Sequence, residues 1–127
     1  MTYLWDTHAV IWAMEDDPLL SERARAAAEE RNENAVSGIT LWEVAALVNK
    51  GRIKLSIPLD EWLDELTSRL PVFNISGAIA ARCYNLGPFH GDPADRIIVA
   101  TALIHSLTIV TRDQKIHAYQ KVASLWD

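Results

Sequence analysis

Four short apolar runs, at residues 3–5, 35–37, 72–75 and 107–111, alternate with longer segments of helical character. Strands alternating with helices argue for an α/β/α sandwich of three layers around a mostly parallel central sheet. The punctuation agrees. Asp16-Asp17-Pro18 breaks a helix over 8–15, and Ser21 is placed to cap the next, through about Arg31. Thr40 is expected to cap LWEVAALVNK, which Gly51 closes, with Leu41, Val44, Ala45 and Val48 as its buried stripe. Pro58 and Asp60 open EWLDELTSRL, stopped by Pro71, and Ser76 caps a helix reaching Gly87. Asp92-Pro93 opens PADRIIVATALIHS, Asp113 begins a short helix over 114–120, and residues 122–125 form an edge strand.

The chain has 127 residues, half of them apolar, with no repeat or low-complexity tract, which suits one domain over 1–127. A formal net charge of −5 argues against binding a polyanion through bulk electrostatics. A nucleic-acid function would need a local device, such as a bound cation or a basic partner. The single cysteine, Cys83, rules out an internal disulfide and fits a reducing cytoplasm as a small buried hydrophobe. The N-terminus carries no signal-peptide pattern, and no apolar run could span a bilayer.

The acids carry the chemistry. Asp6 lies inside the otherwise apolar LWDTHAVIW, where a buried, unpartnered carboxylate is costly. A helix N-cap accounts for it as well as a ligand role does. Glu43 is the only charge in GITLWEVAALVN and reads either as solvated or as a ligand. Pro93 at the first helical position makes Asp92 the N-cap and Asp95 the third residue, both favoured by the helix dipole. Asp95 also leads the stripe Ile98, Val99, Ala102, so it faces the sheet. Asp113 follows a strand and could again be a cap.

Together these acids can converge beyond the carboxyl ends of parallel strands, where sites in such folds lie. Four gathered carboxylates repel unless a cation sits among them. Oxygen-only ligands suit Mg²⁺ or Mn²⁺, whereas one cysteine and scattered histidines, without HExxH or CxxC, make zinc a poor fit. A pair of carboxylate-held ions about 3.5–4 Å apart is a recurring phosphodiesterase device, with Thr111 available to steady a ligand.

LWDTHAVIW, SGITLWEVAALVNKGRI, GDPADRIIVATALI and TIVTRD, in this order, resemble the PIN domain, and within it the VapC-type toxins of bacterial toxin–antitoxin pairs. The resemblance implies a PIN-like sandwich and a Mg²⁺- or Mn²⁺-dependent endoribonuclease acting on structured cellular RNA. It implies Asp6, Glu43, Asp95 and Asp113 as metal ligands, with Thr111 as the accompanying hydroxyl and Asp92 as an auxiliary or structural acid. It also implies a homodimer, assembled into a heterotetramer or larger with an antitoxin whose tail covers the site. Lys50, Arg52, Arg96 and Arg112 are candidates for RNA phosphates. His8 could join them, although a packed, hydrogen-bonded core histidine is the default for it. His90, His105 and His117 have no usable spacing. Trp5 and Trp42 flank acids, with core packing as their default.

Two other readings compete. In a phosphohydrolase or phospho-acceptor domain Asp6 would be a nucleophile, but the haloacid dehalogenase type needs DxD, and the third residue here is His8. A catalytically silent PIN-like module acting through a partner would not need four intact acids.

Overall fold

The computed structural model describes residues 1–89 and 91–127; His90, with its expected loop position, lies outside the described residues. Among the described residues five strands form one parallel sheet: β1 (Tyr3–Trp5), β2 (Asn34–Ser37), β3 (Val72–Phe73), β4 (Thr108–Val110) and β5 (Ser124–Leu125). Their order is β3-β2-β1-β4-β5. The chain steps outward from β1 to β3, then returns to β4 on the other side of β1. That reversal opens a crevice beyond β1 and β4, where open α/β sheets place their sites.

Seven helices connect the described strands: α1 (Thr7–Met14), α2 (Glu22–Ala28), α3 (Gly38–Asn49), α4 (Leu59–Arg69), α5 (Gly77–Cys83), α6 (Pro93–His105) and α7 (Gln114–Ala118). The period of two along each strand sends successive side chains to opposite faces. Leu4, Ala35 and Ile109 pack against α5, α6 and α7, while Trp5, Val36 and Val110 pack against α1, α2 and α4. Leu4 pairs in register with both Ala35 and Ile109, so each core begins from a row of small or branched apolar residues. Ile98 and Val99 of α6 are fully buried, each contributing about 1.5–3 kcal/mol of transfer free energy.

Ser21, Ser76, Asp92 and Asp113 cap the helices that the sequence assigns them. Other boundaries differ. Ser37 rather than Thr40 caps α3, its Oγ accepting from the Ile39 amide, because Thr40 is drawn into a buried contact with Thr7. Of the expected α3 stripe only Val44 is fully buried. The α2 and α5 helices stop at Ala28 and Cys83, earlier than expected, and the third strand is limited to two residues.

Candidate active site

The crevice between β1 and β4 sets Asp6. Its backbone amide donates to the Val110 carbonyl at 3.0 Å, so the ladder fixes its main chain. Oδ1 accepts from the Thr7 amide at 2.8 Å as the cap of α1, and Oδ2 accepts from Thr111 Oγ1 at 2.7 Å. Cap and site are therefore one residue using its two oxygens separately. Thr111 Oγ1 also accepts from the Asp113 amide at 3.0 Å, which holds the start of α7 against the end of β4. Asp113 in turn caps α7 through the Lys115 amide at 2.7 Å.

Glu43 is positioned by hydroxyls. Thr7 Oγ1 donates to Glu43 Oε1 and lies 3.2 Å from Thr40 Oγ1. A hydroxyl has one proton, so Thr40 must be the donor in the second contact, giving a relay Thr40 to Thr7 to Glu43. Asp92 is exposed and accepts from the Asp95 amide at 2.9 Å, which starts α6 and aims Asp95 at the crevice. The Arg96 side chain donates to the carbonyls of Cys83, Phe89 and Gly91, at 3.2, 2.8 and 3.3 Å, and so ties the end of α5 and the preceding loop to α6.

Electrostatics sets these acids apart. Burial pushes the Asp6 carboxyl above the usual range, against the bonds from Thr111 and Thr7 that lower it. Glu43 is raised first by burial, then by the charges of Asp6 and Asp92, with the Thr7 bond opposing. Asp95 is pushed up to about 8 by burial and by Asp6, Asp92, Asp113 and Glu43. Among the described residues no Lys or Arg makes an ion pair with any of them. Nor are three ligating side chains already drawn together as a closed metal cage among those residues. Carboxylates that mutually repel, half or fully withdrawn from water and supplied only with oxygen donors, fit a hard divalent cation. Asp6, Glu43, Asp95 and Asp113 would hold it.

A cleft of about 300 Å³ opens beside Asp6 and Asp113, lined also by His8, Ala9, Trp12 and Arg112. Arg112 stands 5.8 Å from the Trp12 ring centroid. His8 is exposed and tilted against Trp12 at 6.0 Å, contrary to its expected core position, because α1 begins at Thr7 and turns the next residue outward. Trp5 is buried and donates to Asn34 Oδ1 at 2.7 Å, as its default has it, whereas Trp42 is 65% exposed. Arg96 is not a free phosphate ligand, since three carbonyls occupy its guanidinium. Lys50 is exposed beyond the far end of α3, about 10 Å along the helix axis from Glu43, with Arg52 exposed just past it. The α3 geometry therefore places neither of them with the acids.

Sequence reasoning missed Thr7, Thr40 and Gly91. The threonines carry no local signal, since their partners lie 33 and 36 residues away. Gly91 is required by close approach: a Cβ there would stand 2.4 Å from Phe89 Cε2 and 3.0 Å from Asp95 Cβ.

The PIN-domain family model matches residues 3–122. Ribonuclease VapC22 of Mycobacterium tuberculosis is 36% identical over 128 residues, covering 98% of each chain. Among solved structures, a toxin–antitoxin complex from Klebsiella pneumoniae superposes with a TM-score of 0.71 at 26% identity, over 96% of each chain. VapBC2 from Rickettsia felis, bound to a DNA fragment from its promoter, gives 0.73 at 23% identity over the whole of both chains.

Proposed function

The chain belongs to the PIN-domain family, and from that premise we propose that it is a VapC-type ribonuclease toxin cleaving RNA phosphodiester bonds with Mg²⁺ or Mn²⁺. One observation carries the metal: Asp6, Glu43 and Asp95 are withdrawn from water, so that burial raises each carboxyl, and none makes an ion pair among the described residues. When bound, the ion supplies positive charge at the phosphate and makes water acidic enough to attack at neutral pH.

The protein's own groups do the positioning. Thr111 and the Thr7 amide keep both Asp6 oxygens oriented, so little reorganisation accompanies loading. The Thr40–Thr7 relay does the same for Glu43. Asp95, pushed up to about 8, would release its proton to solvent when a cation bound and would then contribute charge to holding it. Arg112 and His8, on the wall of the cleft, are placed to meet phosphate oxygens next to the scissile bond.

The same reading assigns a cognate antitoxin as partner, since the similar Klebsiella pneumoniae structure is a toxin–antitoxin complex. It includes a homodimer and a cytoplasmic location; no helix among the described residues is long and apolar enough to cross a membrane.

The test is cleavage of total cellular RNA by purified, antitoxin-free protein with Mg²⁺ or Mn²⁺, with EDTA, and with Asp6→Asn. Metal-dependent cleavage absent from the variant is expected. Folded wild type that leaves every RNA intact would return the chain to the silent-module reading.

A further inference from the structure

A second recess of about 620 Å³ is lined by residues that include Pro88, Phe89, Lys115, Tyr119 and Lys121. Two links tie it to the site. The Phe89 ring lies so close on Gly91 that a Cβ there would stand 2.4 Å from Cε2, and the same Cβ would stand 3.0 Å from that of Asp95. One glycine therefore separates the floor of the recess from Asp95. From the other direction, Asp113 accepts from the Lys115 amide at 2.7 Å, so Lys115 rises from the turn that Asp113 caps.

The floor is fixed. Phe89 and Tyr119 are buried and meet edge to face at 5.2 Å, and the Tyr119 hydroxyl donates to the Leu86 carbonyl at 2.6 Å. Gly87, at φ +77°, turns the chain where Lys121 leans over it, Nζ lying 3.6 Å from where a Cβ would be. Lys115 and Lys121 are exposed, and among the described residues their ammonium groups make no ion pair or hydrogen bond. Among the described residues no acid lines the recess. In a chain of net charge −5, this is a local reversal of sign, linked to the carboxylates through Gly91 and the Asp113 cap.

We propose that this recess binds the RNA backbone beyond the scissile phosphate, Lys115 and Lys121 each meeting one phosphate. The inference rests on the ribonuclease reading and adds a path for the substrate, from the cleft that Arg112 lines to the recess that the two lysines line. Ammonium groups on phosphates carry register but no sequence, so their loss weakens all RNA alike. The recess also answers how an acidic protein holds a polyanion, by concentrating cations where the strand runs.

The test is fluorescence anisotropy with a labelled single-stranded RNA of mixed sequence, in EDTA, over a range of KCl. Wild type is compared with Lys115→Gln/Lys121→Gln and with a control, Lys50→Gln/Arg52→Gln/Lys54→Gln. Each phosphate contact on a single strand contributes about 0.7 to the slope of log affinity against log salt. The double variant should therefore lose about 1.4 of slope and about tenfold in affinity at low salt, while the control matches wild type. At saturating total RNA with Mn²⁺ it should cleave within about twofold of wild type, because the lysines position rather than react. Wild-type binding and slope in the double variant, with wild type cleaving, would overturn this inference alone. Wild type that neither binds nor cleaves RNA would overturn it together with the ribonuclease reading. If the double variant kept RNA but lost a poly-glutamate peptide, the recess would belong to an acidic polypeptide instead.

Discussion

Asp16 and Glu65 lie on the surface, each with an arginine at hand: Arg25 at 2.8 Å and Arg69 at 2.6 Å. Asp6, Glu43 and Asp95 lie in the crevice, and none makes an ion pair among the described residues. The arrangement is inverted from what stability alone would select. Exposed charges need little help and receive it; withdrawn charges need much and receive only hydroxyls and an amide. The difference supports the proposed cation in the crevice, a charge that the neighbouring side chains do not balance by ion pairs.

The largest effect should come from removing a crevice acid. Asp6→Asn and Asp95→Asn should each lower RNA cleavage by on the order of 10² to 10³, in an assay with saturating Mn²⁺, with the fold intact by circular dichroism. Equal activity in either variant would break the comparison.

A pH effect comes next. The folded-state Asp95 carboxyl titrates near 8, above its unfolded value of 3.8, so the folded protein holds the proton more tightly. Its favourable contribution is complete below about pH 4 and is lost as pH rises toward and through 8. In EDTA, melting temperature should fall across that window, with Asp6 and Glu43 adding in the same direction. Asp95→Asn should flatten the fall and melt higher than wild type at pH 8, and Mn²⁺ should restore wild type there.

The hydroxyls should act more gently. Thr111→Val removes one bond to Asp6 and should weaken Mn²⁺ binding about 10- to 100-fold by calorimetry, while protein remains folded. The smallest effect belongs to the surface: Arg69→Ala removes an exposed i,i+4 pair and should change unfolding free energy by less than about 0.5 kcal/mol in urea titration, with no effect on cleavage.

The sequence carried what is locally encoded. Ser21, Ser76, Asp92 and Asp113 cap helices because the cap is made within three residues, and Asp6 and Asp113 come within range to raise Asp95 because each follows or faces a strand of one parallel sheet. Non-local partners decided the rest. Thr40 and Ser37 are both good caps, and only the contact with Thr7 takes Thr40 out of that role. His8 reads as core in an apolar stretch until the first turn of α1 swings it outward. Arg96, next to an acid in sequence, reads as a phosphate ligand until three carbonyls from α5 and the loop claim it. Gly91 is silent in sequence because its neighbour, the Phe89 ring, is placed by Tyr119.

The most direct test of the proposed cation site is calorimetric titration of Mn²⁺ into wild type at pH 7, repeated in two buffers of different ionisation enthalpy. With Asp95 titrating near 8, the account predicts binding accompanied by release of close to one proton, and little release in Asp95→Asn. Absence of Mn²⁺ binding, or binding with no proton released, would contradict it.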